Sequence, residues 1–171
     1  VTVAVSAPSV PRAFWAPTPD ALIEGALDLA QVGPGTRFVD VGCGDGRVLV
    51  AAASRGACVR GIELDPVMTE RARHALAEAR LPGSVDTADA FSADLEGDVV
   101  YAYLTPAMLA GLRPRFERLP PGTRIVTPRY TVAGWLPAAT EAGNHLYELP
   151  ADREPGSGPS GWPARATIVT V

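Results

Sequence analysis

Three carboxylates fall where a carboxylate can bind a ligand as well as solvate a surface. Asp40 closes the apolar run Arg37-Phe38-Val39 and stands just before the turn Gly42-Cys43-Gly44-Asp45-Gly46. Glu63 ends a second apolar run, about 20 residues beyond that turn, the spacing at which an acid can accept both hydroxyls of a ribose. Asp89 follows a third, weaker run, where an acid can accept from an exocyclic amino group while Ala90 offers a backbone N–H. Taken singly, each has a bland reading: a loop acid at 89, a helix-capping acid near 63, and a turn residue at 40. Alternating glycines let a chain turn sharply and approach a ligand closely, and the helix formers after Arg47 end the turn on free N–H groups. Dinucleotide loops favour Gly-x-Gly-x-x-Gly facing a pyrophosphate. Here the spacing is Gly-x-Gly-x-Gly, and Asp40 would repel a phosphate while suiting a cationic amino group.

A ligand with an ammonium, a ribose and an adenine, but no phosphate, satisfies all three acids together. S-adenosylmethionine is such a ligand, and the stretch from 37 to 47 resembles motif I of the class I S-adenosylmethionine-dependent methyltransferases. The expected cofactor contacts are Thr18, Asp40, Gly42, Cys43, Gly44, Asp45, Gly46, Glu63, Leu64, Asp89, Ala90 and Leu104. Cys43 reads first as a small residue fitting a tight turn, since no histidine stands near it in sequence to activate a thiolate. His74 and His145 are isolated, no metal-ligand spacing occurs, and no metal is expected.

Bulk properties bound the partners. The 171 residues suit one domain with a real core, and 47% of them are hydrophobic. A formal net charge of −4 gives no basic face for tracking phosphates, so no nucleic-acid partner is expected. All 15 basic residues are Arg, so the chain has no lysine of its own to modify. No stretch is long enough to span a bilayer, and the Val1 to Val10 segment lacks a basic n-region and carries Pro8. A reducing cytoplasm is the default expectation, with Cys43 and Cys58 unpaired.

The elements that must position these residues alternate. An irregular arm over 1–18, with Phe14-Trp15 as a possible substrate lid, leads to a single domain over 19–171. Thr18 is expected to cap a helix from Pro19 to Gln31. Strands follow at about 37–41, 57–63, 84–88, 98–104 and 123–127. Helices lie between them at about 47–54, 66–79 and 106–119, with a loop over 128–136. Asn144 to Leu149 and Ala166 to Val171 read as a terminal antiparallel hairpin joined by a flexible Pro/Gly/Ser-rich connector over 150–163. Such an order implies an α/β fold, a Rossmann-like and mostly parallel sheet with helices on both faces and a C-terminal antiparallel hairpin.

The chain resembles a narrower family, the small bacterial and archaeal relatives of the mitochondrial ATP-synthase c-subunit lysine methyltransferases. The resemblance rests on Ala16-Pro17-Thr18-Pro19, on Val41 to Val48, on Gly61-Ile62-Glu63-Leu64-Asp65-Pro66 and on Tyr103-Leu104-Thr105-Pro106. It extends to Pro121 through Val126 and to Arg129-Tyr130 with Gly134-Trp135, while Thr131 and Ala133 stand where the family often has prolines. It implies a methyltransferase that N-methylates a protein lysine or another amine; a monomer or homodimer is the expected assembly. A small-molecule methyltransferase and a cofactor-binding protein without methyl transfer are the alternatives; a nicotinamide oxidoreductase is disfavoured by Asp40. The resemblance places the acceptor near the ends of the fourth and fifth strands, with Tyr103, Thr105, Arg129, Tyr130 and Trp135 as candidate catalytic residues and Tyr101 beside them. Tyr101 and Tyr103 share a strand face, so either packing or acceptor contact suits them, and Trp135 can equally plug the sheet end.

Overall fold

The computed structural model describes residues 17–150. The elements run α1 (Asp20–Leu29), β1 (Arg37–Val41), α2 (Arg47–Ser54), β2 (Cys58–Glu63), α3 (Pro66–Glu78), β3 (Ser84–Thr87), β4 (Val99–Tyr101), α4 (Pro106–Phe116), β5 (Arg124–Pro128), β6 (Ala139–Glu141) and β7 (Asn144–Glu148). They form a seven-stranded sheet in the order β3-β2-β1-β4-β5-β7-β6. The pairs β1–β2, β1–β4, β2–β3 and β4–β5 are parallel, and β7 runs antiparallel to both β5 and β6. This is the expected mostly parallel sheet with antiparallel strands at its C-terminal edge.

Strand alternation divides the core in two. Phe38, Val59, Val99, Tyr101, Val126 and Leu146 face one side, where Leu27 of α1, Leu49 of α2 and Leu76 of α3 cover them. Val39, Val41, Ile62, Val100, Ile125 and Tyr147 face the other, under Leu109, Leu112 and Phe116 of α4. A strand buried on both faces reads as a continuous apolar run, which is why β1 and β4 are legible in sequence.

Several expectations change at the edges. Thr18 does not cap α1: Pro19 is the N-cap and no side chain bonds the helix start. The fourth strand ends at Tyr101, because only Val99 to Tyr101 find register partners on β5; Tyr103 lies beyond it. The terminal hairpin is also re-drawn. Asn144–Glu148 pairs antiparallel with β5 on one edge and makes its hairpin with the short β6, Ala139–Glu141, on the other. Ala166 to Val171, the connector beyond Pro150 and the Phe14-Trp15 pair lie outside the described residues.

Candidate active site

The strand order reverses between β1 and β4, and in open α/β sheets ligands bind outside the carboxyl ends of the strands at such a point. Asp40 and Tyr101 straddle it. They are register partners on adjacent strands, and Asp40 pairs on its other side with Gly61. By alternation both side chains lie on the α1–α3 face.

Asp40 is 2% exposed, and its Oδ2 is buried with no hydrogen-bond partner. A buried unpaired carboxylate is costly, and burial therefore favours the protonated form. Burial first, then the charges of Glu63 and Asp45, push its pKa well above the usual carboxylate range. The Tyr101 hydroxyl is likewise buried without a well-formed partner. Burial and the nearby Asp40 push its pKa up, with the Thr18 hydroxyl close enough to moderate the rise. Thr18 is 8% exposed, and its carbonyl accepts from Arg47 Nη1 at 3.3 Å.

The glycine turn is built from contacts as much as from freedom. Gly42 N–H and Cys43 N–H both donate to the Ile62 carbonyl, at 2.8 and 3.2 Å, tying the turn to β2. Gly42 is exposed, with φ of 77°, and a Cβ there would come within 2.9 Å of Leu104 Cδ2. Gly46 has φ of 83°, and its Cβ would lie 2.7 Å from Ala72 Cα; the third glycine lets α2 start against α3. Gly44 N–H donates to Glu63 Oε2 at 3.0 Å, and Asp65 N–H to Oε1 at 2.9 Å. Each oxygen keeps a second lone pair, so Glu63 can still accept a hydroxyl. Asp45 and Arg47 form an ion pair at 2.9 Å, which with the Thr18 contact ties the chain before α1 to the turn. Cys43 is buried, and burial together with Asp40 and Glu63 pushes its thiol pKa up, so it has no thiolate character.

The remaining expected contacts are spread around this centre. Leu64 is 53% exposed just past Glu63, and Leu104 is 8% exposed over Gly42. Asp89 is exposed and accepts from Phe91 N–H at 2.9 Å, so it shapes its own turn beside half-buried Ala90. Of the residues expected to meet the acceptor, Thr105 is the N-cap of α4 and accepts from Met108 N–H at 3.4 Å. Trp135 is 5% exposed and packs between Phe116 and Tyr147 on the α4 face, the face opposite Asp40. Tyr103 and Arg129 come together, and Tyr130 follows Arg129 in the chain. The Arg129 guanidinium lies over the Tyr103 ring, 5.9 Å from its centroid, and Tyr130 is 41% exposed next to it. Tyr130 N–H donates to the Pro128 carbonyl at 2.7 Å, closing a three-residue turn with Arg129 at its apex and φ of 63°. A non-glycine residue so placed costs on the order of 1–3 kcal/mol and is held by its surroundings. Here Arg129 N–H donates to the Gly143 carbonyl at 2.7 Å, and Thr127 Oγ1 bonds the Tyr130 carbonyl at 2.6 Å.

Sequence reasoning misses two participants. Nothing in the spacing shows that Arg47 ties Asp45 to Thr18, and Tyr101 reads in sequence as an acceptor-side residue although it neighbours Asp40. A carboxyl and a phenol on adjacent strands at one register level are the available signal.

The arrangement fits S-adenosylmethionine on the structure's own terms. The acid oxygen of Asp40 is buried without a partner just before a turn whose Gly42 is exposed, and Glu63 and Asp45 give that turn a negative field. Such a field attracts an ammonium or sulfonium and opposes a pyrophosphate.

Comparison with known proteins agrees. The family model described as the ANTKMT methyltransferase domain matches residues 40–139. A protein-lysine N-methyltransferase of Saccharolobus islandicus is 32% identical over 135 residues, covering 75% of this chain and 83% of its own. The mouse lysine N-methyltransferase of the ATP-synthase c-subunit is 29% identical over 134 residues; the match takes in 72% of this chain but only 53% of the mouse enzyme. Among solved structures, an RNA methyltransferase from Salinibacter ruber in complex with S-adenosyl-L-homocysteine superimposes with a TM-score of 0.75. It is 34% identical, with 83% of this chain and 98% of that one covered.

Proposed function

Because this chain belongs to the ANTKMT methyltransferase domain family and is an S-adenosylmethionine-dependent methyltransferase, we propose that its acceptor is the side-chain amine of a protein lysine. The observation that carries the site assignment is the buried, unpartnered oxygen of Asp40 beside the open glycine turn. In this reading Asp40 and the turn hold the amino-acid end of the cofactor, Glu63 accepts from its ribose, and Asp89 with Ala90 meets its adenine. The lysine reading is supported by the names of the archaeal and mouse relatives. It is supported too by an aromatic and open acceptor side at Tyr103 and Tyr130.

The cofactor, when bound, supplies an electrophilic methyl group on a sulfonium. The protein's part is alignment and exclusion of water. Asp40 fixes one end, and its charge is neutralised by the cation it binds. Tyr103 and Tyr130 offer ring faces along which an alkyl amine can lie. Tyr101 holds its proton too tightly to act as a base. An amine acceptor therefore loses its proton to solvent through the open side.

An RNA acceptor is the second reading, raised by the name of the Salinibacter structure. The net charge of −4 opposes it, since RNA binding is driven by neutralising phosphates. The test is transfer of a labelled methyl group into a lysate, separated into protein, RNA and small molecules. Label in protein, recovered as methyl-lysine after acid hydrolysis, is expected. Label confined to RNA or to small molecules would replace the reading. The cytoplasm is the proposed location, supported by two free thiols at Cys43 and Cys58; the proposed assembly is a monomer or homodimer. Among the described residues no helix is long and apolar enough to cross a membrane.

A further inference from the structure

Arg129 is an exposed cation whose charged end is placed by an aromatic ring. Among the described residues no carboxylate pairs with it, and its guanidinium lies over Tyr103, 5.9 Å from the ring centroid. The other guanidinium near this loop, Arg113, is engaged differently: it bonds Glu117 at 2.8 Å and the Ala133 carbonyl at 2.8 Å. The backbone beneath Arg129 is held at φ of 63° by the Tyr130-to-Pro128 bond and by its own bond to Gly143. The stem therefore leaves a fixed point at the end of β5, while the head group meets a surface that binds any cation and forms no directional bond. Tyr103 is half-buried against the α1–α3 core, so its ring is anchored. It packs against the same cluster as Tyr101, the register partner of Asp40, and so lies on the same side as the cofactor acid.

We propose that the ring face of Tyr103 is the subsite for the acceptor's alkylammonium chain, and that Arg129 is an internal competitor occupying it in the free enzyme. The inference rests on the reading of the acceptor as an amine and deepens it. A lysine entering the site displaces the guanidinium from the ring, and Arg129 turns out to solvent. The displaced contact is an exposed cation–π pair, which sets the competition at about two- to fivefold in affinity. Arg129 thus lowers by that factor the affinity of every amine that uses the ring face, so an isolated amine binds weakly and an acceptor must bring further contacts to bind well.

The test uses n-butylammonium as the probe, titrated into the full chain saturated with S-adenosylhomocysteine and followed by tyrosine fluorescence or NMR shifts. Calorimetry of S-adenosylhomocysteine comes first, so that failure of the cofactor site is seen separately from failure of this subsite. In Arg129→Gln, which keeps a polar stem without the charge, n-butylammonium is expected to bind about two- to fivefold more tightly than in the wild type. Tyr103→Phe is expected to keep binding, and Tyr103→Leu to lose it. Equal or weaker binding in Arg129→Gln, or wild-type binding in Tyr103→Leu, would overturn the proposal.

Discussion

Asp40→Asn separates two consequences of a single buried carboxyl. Removing the charge removes the partner for a bound cation, and a charge-assisted hydrogen bond contributes about 1.5–3 kcal/mol. S-adenosylmethionine should therefore bind about ten- to a hundredfold more weakly, as read by calorimetry. The free protein should respond in the opposite direction. The Asp40 pKa is raised in the fold, chiefly by burial, so the folded state binds this proton more tightly than the unfolded chain does. Its stabilising contribution is present below the ordinary carboxylate pKa and is lost as pH rises through the folded value. Asn carries no such loss. The melting temperature of Asp40→Asn relative to wild type should then grow from pH 4 to pH 7 without cofactor; a difference independent of pH would contradict this. The residues most legible in sequence are those defined by local spacing: Asp40, the three glycines and Glu63. Residues defined across strands are not. Tyr101 joins the site through its register with Asp40, and Arg129 meets Tyr103 through a turn 26 positions away, for which no local pattern exists.

Elements carry the next layer, because each site group is placed by where a strand stops or a helix starts. Gly46 shows how little room there is. A larger residue would add both a left-handed backbone cost of about 1–2 kcal/mol and overpacking against Ala72 of about 1–3 kcal/mol. Gly46→Val should lower the urea midpoint by an amount equivalent to about 3 kcal/mol, and a wild-type midpoint would show that α2 and α3 can separate freely. Asp65, whose side chain accepts from Val67 N–H at 2.8 Å, caps α3 behind Pro66. Asp65→Ala should cost about 1 kcal/mol in the same assay. Helix starts of this kind are readable, since capping and proline signals are local: α2, α3 and α4 begin where expected. Strand ends are less so. The apolar run Ala102-Tyr103-Leu104 continues past the last β5 partner, and hydrophobicity alone does not reveal where pairing stops. The short edge strand Ala139–Glu141 is mostly exposed and lacks alternation, so the hairpin partner of β7 leaves no pattern to find.

At the scale of the whole molecule, the site and the fold are coupled through ligand binding. A cofactor that binds only the folded chain at about 100 times its Kd adds about 2.7 kcal/mol to stability. For a chain of this length that corresponds to a melting temperature about 5–10 °C higher. Thermal scans with S-adenosylmethionine should show that rise in the wild type, and a much smaller one in Asp40→Asn at the same concentration. The architecture gathers Asp40, Glu63 and Asp45 near the sheet's switch point and leaves Arg129 and Tyr130 exposed beyond the end of β5, a layout that suits the proposed cationic cofactor and large acceptor. The most direct measurement of the central claim is a pair of calorimetric titrations of wild type and Asp40→Asn with S-adenosylmethionine and with NAD. Tight S-adenosylmethionine binding in the wild type, at least tenfold weaker in the variant, with no NAD binding in either, is the result expected. NAD binding without S-adenosylmethionine binding, or equal affinity in the two proteins, would contradict it.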